Sequence, residues 1–410
     1  MLTDTISIHP VHQQPNLKSK IPNTFCQLSL ILASICLATP SFAANSEHIK
    51  RLLSTNQCPR CDLKNVDLRG GDFRGADLSG ANLFGAMLEN ANLRGAKLRG
   101  ADMQEIVLRG ANLEAADLED AKMRGAMLRE AKLRGANLKN ARMRGARLRG
   151  VDLREANLVG TLLSEAVLLE ANLSLADLRG ANLSTAKLNN ANLETANLEN
   201  ANLTGADLTD AYLGDANLRS ALLVNANLKN AKLVASSLIG ANLNGAILNR
   251  TEMQGANLSQ ANLTNAKVAN ADWSRTILTM ANLTGANLTN TKLIGAYLFT
   301  ANLENAILTN ADLTSANLEN ANLRNAKLNS ANLSEASLKY ANLYDTDLRG
   351  AILYATDFRE SNVANAKFAP DLLDHTGQMN REPLTETVSS QLNRIYNSLW
   401  ESLRNTNRKK

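Results

Sequence analysis

The sequence predicts an all-β solenoid, and three observations carry that prediction. A single five-residue word runs from Cys61 to Pro370 without insertion or deletion, giving 310/5 = 62 copies. Its third letter is apolar in every copy, Leu in 52 of them, and its first letter is Ala in 49. Aromatic residues make up only 4% of the chain, too few for a conventional globular core of this size. A period of five fits neither the helical turn of about 3.6 residues nor the two-residue alternation of a strand.

Fixed-period self-similarity means an array in which each unit buries its apolar face against its neighbours. A chain turning through about a right angle per copy closes one square coil every four copies. First and third letters then point inward and the other three outward. Ala at the first letter follows from space, since an interior with a Leu at every side has no room for a second large group. Asn or Asp fills the second letter in 36 copies, and Gly recurs at the fifth. All three residue types suit repeated tight turns through their tolerance of strained dihedrals. Backbone donors and acceptors would pair with the coils above and below.

The word Ala-(Asn/Asp)-Leu-x-x, written twice in Ala281-Asn282-Leu283-Thr284-Gly285-Ala286-Asn287-Leu288-Thr289-Asn290, resembles the pentapeptide-repeat family. The resemblance covers 310 of 410 residues. It implies a right-handed quadrilateral β-helix of about 15 coils, since 310/20 = 15.5. At ~4.8 Å between stacked strands, such a rod is roughly 75 Å long.

Residues 1–43 read as an export signal. Lys18 and Lys20 precede an apolar run from Leu28 to Ala38, and Ser41-Phe42-Ala43 offers small residues at the −3 and −1 positions of a cleavage site. The run is too short to span a bilayer, and an uncleaved interfacial anchor is the alternative. Residues 44–60 read as an N-terminal cap, with a short helix over 47–53 laying Ile49, Leu52 and Leu53 on the open end of the rod. Cys58 and Cys61 follow as a CxxC pair. Two cysteines cannot close a tetrahedral zinc site alone, and no βαβ pattern supports a thioredoxin-like role. A disulfide pinning the cap is the favoured reading, with free buried thiols as the alternative.

The rod at 61–370 is near neutral, 33 basic against 32 acidic residues, but not uniform. Residues 121–150 carry ten Lys and Arg against Glu130 alone, a local charge of +9. Residues 20 apart stack, so Arg109, Arg129 and Arg149 share a column whose mutual repulsion is uncompensated within it. Arg124, Arg129, Arg134, Arg142, Arg144, Arg147 and Arg149 are therefore candidates for a collar that binds phosphate, acidic polysaccharide or anionic lipid. A solvated face screened by salt is the other reading. Further on, Ile277, Ile294, Tyr297 and Phe299 cluster by the same count as a candidate partner patch. Trp273 takes a third-letter position and reads as core. Beyond a loop from 371, the C-terminal region predicts an amphipathic helix with Val388, Leu392, Ile395, Leu399 and Leu403 on one stripe. It either caps the rod or, as the resemblance implies, forms a homodimer contact.

Nothing in the chain assembles a catalytic centre. Outside the leader the histidines are His48 and His375, at opposite ends of the rod. Asp62, Asp67, Asp72 and Asp77 fall one per side and cannot converge as a catalytic pair or calcium cage. The sequence therefore predicts no cofactor, no metal and no enzyme. It predicts an exported scaffold or protein-interaction module, in the periplasm, thylakoid lumen or extracellular space, with a protein or anionic polymer as partner. The resemblance implies one alternative, a DNA mimic that binds type II topoisomerases. Mimicry needs a strongly negative rod, which this composition does not supply.

Overall fold

A computed structural model describes residues 45–369 of the chain. The leader over 1–43 and the helix carrying Val388, Leu392, Ile395, Leu399 and Leu403 lie outside the described residues.

The fold is a ladder of one-residue parallel bridges. Each second-letter residue pairs with the second letter 20 residues on, from Gln57 with Asp77 through to Asp347 with Lys367. Four words therefore close one coil, the quadrilateral β-helix architecture. The accounting of backbone donors explains why the word is five letters long. In the copy beginning at Ala201, the Asn202 N–H donates to the Ala181 carbonyl one coil below at 2.9 Å. The Leu203 and Gly205 N–H groups donate to Leu222 and Val224 one coil above at 2.7 and 2.9 Å. The Ala206 N–H turns back within its own coil to Leu203 at 3.0 Å. That leaves the fourth letter, and the Thr204 N–H donates to the Asn202 side-chain carbonyl at 3.0 Å. Every N–H of the word thus has a partner.

The tolerance of strained dihedrals expected of Asn, Asp and Gly is used at the fifth letter, as at Asn90 and Asn140, both φ 56°. At the second letter Asn and Asp have a further role, accepting the fourth-letter N–H as an Asx turn. The left-handed conformation falls on the fifth letter, where Gly205 has φ 66° and even Leu175 and Thr195 are held at φ 62° and 56°. The stacked ladder outweighs their local preference, which costs roughly 1–2 kcal/mol for a side chain in this region.

The core is the double row of first and third letters. Leu203, Leu223, Ala201 and Ala221 are fully buried, and so is Trp273. Where the first letter is Thr, its hydroxyl donates to a carbonyl inside the coil, as Thr161 does to Leu138 at 2.9 Å and Thr346 to Leu323 at 2.8 Å. Size is traded within single copies. Phe73 fits because its own first letter is Gly71, whose missing Cβ leaves room for the phenyl ring.

At the N-terminus, helix α1 spans Ser46–Thr55, longer than the expected 47–53. The Asn45 side chain caps it by accepting from Glu47 and His48, and Asn56 ends it at φ 58°. Ile49 and Leu52 are buried on the first coil, while Leu53 is half-buried. His48 Nδ1 accepts the Asp62 N–H at 3.0 Å, and the Asn56 amide donates to the Arg74 carbonyl at 2.8 Å. The ladder starts at Gln57, one word before Cys61. Asn56-Gln57-Cys58-Pro59-Arg60 follows the coil geometry with neither Ala nor Leu, and Cys58 takes the buried third-letter place. Cys58 and Cys61 are joined as a disulfide in this structure, both buried.

A second local device is the Asp-x-Arg word, in which a fourth-letter Arg pairs with its own second-letter Asp. Arg69–Asp67, Arg154–Asp152, Arg179–Asp177 and Arg349–Asp347 each close to 2.6 Å. The arginine hydrogen bond is the main reason that each of these carboxyls lies below its ordinary value. Carboxyls with lowered folded values stabilise the protein above their unfolded value of about 3.9 and lose that contribution as pH falls. The melting temperature should stay level from about pH 7 to about pH 5 and fall below about pH 4. Circular dichroism melts of the wild type and Asp347→Asn check this, since the variant should lose less on acidification.

Candidate functional site

The square geometry divides the basic stretch. Lys122 and Arg142 are bridge partners on one side of the rod, and Met127 and Arg147 are partners on the next. Arg124 and Arg144 occupy the corner between those sides, and Arg129 and Arg149 the following corner, by the 20-residue register. Arg134 stacks on the corner diagonal to Arg124 and Arg144, so it does not join them. The expected encircling collar is instead a cationic surface over two adjacent sides, with outliers behind.

The expected uncompensated repulsion in the Arg columns is also corrected. Arg134, Arg144 and Arg149 reach fifth-letter acids 21 residues ahead, Glu155, Glu165 and Glu170, at 2.6, 2.7 and 2.9 Å. Arg129 pairs with Glu130 at 3.0 Å and Arg109 with Glu89 at 3.0 Å. A window ending at residue 150 stops short of Glu155, Glu165 and Glu170. Extended to 121–170 it holds 11 basic and 5 acidic residues, so the local charge is 11 − 5 = +6. All these pairs are exposed and contribute ~0–1 kcal/mol each. They fix where the guanidinium groups stand without neutralising the surface. Among the described residues, Lys122, Arg124, Arg142 and Arg147 have no acid within ion-pair distance. These four lie together.

Beside them runs a trough of about 490 Å³. Val107, Met127 and Val167 form an apolar floor along one side of the rod, with Arg147 set into the same column. Arg109, Arg129 and Arg149 form one wall along the corner, and Glu89 closes the lower end. The floor was missed by sequence reasoning because Val107, Met127 and Val167 lie 20 or 40 residues apart along the chain, among other departures from Asn or Asp at the second letter. Counting by 20 along 107, 127, 147 and 167 is the signal that finds it.

The expected partner patch is a real cluster in space. Ile277 bridges to Tyr297, and Ile294 and Phe299 flank them on the adjoining corners. Tyr297 is 54% exposed, and Met280 beside it, not anticipated from sequence, is 59% exposed. Among the described residues no three His, Cys, Asp or Glu side chains converge as a metal cage. No helix among them is long and apolar enough to cross a membrane.

The family described as Pentapeptide repeats matches successive segments between residues 61 and 369. No curated protein matches the chain. Among solved structures, HetL from the cyanobacterium Nostoc sp. strain PCC 7120, involved in heterocyst differentiation regulation, is 30% identical. That match covers 57% of this chain and 91% of HetL, with a TM-score of 0.24. Rfr23 from the cyanobacterium Cyanothece 51142 is 31% identical over 30% of this chain and 92% of its own, at a TM-score of 0.24. QnrB1, a plasmid-mediated fluoroquinolone resistance protein, is 17% identical over 53% of this chain and 88% of its own, at a TM-score of 0.33. With the five-residue word, the 20-residue bridge register and the family match across residues 61–369 together, the chain belongs to the pentapeptide-repeat family.

Proposed function

We propose that this chain is a non-enzymatic scaffold, exported by its leader, whose two adjacent cationic sides dock an anionic partner. The observation that supports this most directly is the group Lys122, Arg124, Arg142 and Arg147. These four cations have no acid within ion-pair distance and occupy neighbouring positions on two adjacent sides of the rod. Desolvating a cation with no acid beside it forfeits no existing ion pair, so an incoming anion gains the whole interaction.

DNA mimicry is the competing reading. It requires a rod that repels nucleic acid and presents negative charge to a DNA-binding groove. Here the repeat sums to 33 − 32 = +1, and its most basic stretch, 121–150, to 10 − 1 = +9. The sign is wrong for a decoy of DNA.

The test is salt-dependent retention of the full chain on an anionic matrix. Retention should fall steeply with added salt, since the screening length shrinks to about 10 Å at 0.1 M and about 3 Å at 1 M. Arg124→Gln, Arg142→Gln and Arg147→Gln together should abolish most of it. Retention unchanged in that triple variant overturns the docking surface. Fractionation of the native host that finds the protein in the cytoplasm overturns export.

A further inference from the structure

Two apolar surfaces of this chain fit each other. The first is the cluster on the rod. Ile277 and Tyr297 are bridge partners on one side, Ile294 stands at the corner before them, and Phe299 and Met280 share the corner after. The Met280 N–H donates to the Phe299 carbonyl at 3.0 Å, which sets those two side chains one above the other. Met280, Ile294, Tyr297 and Phe299 are all exposed. The second surface is the stripe of Val388, Leu392, Ile395, Leu399 and Leu403 that the sequence predicts on a C-terminal helix. We propose that residues 388–403 dock on this side of the rod and cover the cluster, as an intramolecular strap and not as a cap on the rod's end.

Reach and size permit this occupant. Lys367, near the end of the described rod, lies 367 − 297 = 70 residues beyond Tyr297, or 3.5 coils, on the opposite side. That is ~17 Å along the axis at ~4.8 Å per coil. Residues 370–387 span up to ~60 Å when extended, at ~3.3 Å each, so the connection has length to spare for rounding the rod. The cluster is one side of the square wide and two coils tall, room for about two turns of a helix ~10 Å across. Leu392, Ile395, Tyr396 and Leu399 recur at the i, i+3, i+4, i+7 spacing with which a helix presents such a face.

Charge decides where the segment goes. Residues 385–410 hold five basic and two acidic residues, 5 − 2 = +3. The coils around the cluster, 271–320, hold two basic and four acidic residues, 2 − 4 = −2. The other apolar surface, the trough, is walled by Arg109, Arg129 and Arg149 and repels a cationic segment. The same sum counts against a second copy of the rod as the cover, because two surfaces of like charge would meet. An attached segment also works at an effective concentration in the millimolar range, without the entropy cost of joining two molecules.

The experiment uses the full-length chain. Brief peroxide treatment followed by mass spectrometry reads the oxidation rates of Met280 and Met127. Met280 is the more exposed on the rod, 59% against 39%, so an uncovered cluster oxidises Met280 first. The strap reverses that order, and Met280 should react at least about threefold more slowly than Met127. Ile395→Asp with Leu399→Asp should release the strap, speeding Met280 several-fold and leaving Met127 unchanged. Reciprocally, Tyr297→Asp with Phe299→Asp should speed hydrogen exchange across 388–403 by at least about tenfold. Both rod positions are exposed, so the rod itself stays folded in that variant. Met280 reacting faster than Met127 in the wild type overturns the strap. So does exchange across 388–403 that ignores the Tyr297 and Phe299 changes, the result expected if the segment caps the rod's end. Met280 protection that disappears on dilution identifies a second copy as the cover, and the proposal falls with it. Each of these outcomes leaves the anion docking of Lys122, Arg124, Arg142 and Arg147 to its own test.

Discussion

Leu203→Ala lowers the stability of the rod by about 2–5 kcal/mol, measured as the shift in a denaturant or thermal midpoint. Leu203 is fully buried in the middle of the coil stack, with Leu183 and Leu223 one coil below and one above in its column. What sets the magnitude is how far the surroundings can close over the lost atoms. Here they can move very little. The Leu203 N–H is bonded to Leu222 at 2.7 Å, and the Leu183 N–H to Asn202 at 2.7 Å, so backbone on both sides is fixed by the ladder. The cavity therefore stays open and the cost falls toward the upper half of that range. A solenoid couples each coil mainly to its neighbours. Leu183→Ala combined with Leu203→Ala should be non-additive because the two share a cavity, whereas Leu203→Ala with Leu328→Ala should add within about 0.5 kcal/mol. A single-variant loss below about 1 kcal/mol would mean that the interior is not the dry, close-packed column described here.

The contrast between what the word revealed and what it hid follows from the range of the interactions. Ala201, Leu203 and their counterparts were legible because burial is decided within one copy: an inward position in a narrow coil admits one small and one large apolar residue. Stacking by 20 was legible because four right-angled words return the chain to its start. The second-letter Asn was legible as a turn residue but not in its role, because the donor it satisfies, the fourth-letter N–H, is left over only once every other N–H has been assigned across coils. The Arg149–Glu170 and Arg144–Glu165 pairs were hidden for a different reason. They join a fourth letter to a fifth letter 21 residues on, so a count along columns, or in a window that ends at residue 150, sees one partner without the other. The early start of the ladder at Gln57 escaped notice because Asn56-Gln57-Cys58-Pro59-Arg60 lacks both core letters and is held in register by its bridge to Asp77. The trough combines both difficulties, since its floor is built from second letters and its wall from fourth letters of separate coils.

Trp273→Ala should cost about 3–5 kcal/mol, the second large effect expected in the rod. Trp273 takes a third-letter place that Leu fills in most copies, and it is fully buried. Its column neighbours are Met253 below and Leu293 above, and an unbranched Met adapts to the larger ring more readily than Leu would. The indole also carries a donor that has to be satisfied. Trp273 Nε1–H donates to the Thr251 hydroxyl at 3.0 Å, and that hydroxyl donates onward to the Leu248 carbonyl at 2.8 Å. Thr276 adds a third link by donating to the Trp273 carbonyl at 2.7 Å. The Thr residues at first letters 251 and 276, where Ala is the rule, are thus part of how the rod accommodates one tryptophan. Two variants separate volume from polarity. Trp273→Leu restores the usual core residue and should cost less than Trp273→Ala, because less space is left empty. Thr251→Val keeps the volume but strands the buried indole N–H, at about 1–3 kcal/mol. In a Trp400→Phe background the fluorescence of Trp273 reports these changes directly. Its emission should be blue-shifted in the folded rod and move to the red in step with the loss of backbone circular dichroism. A neutral Thr251→Val would show that the indole N–H finds another acceptor, and the stability of this coil would then rest on packing alone.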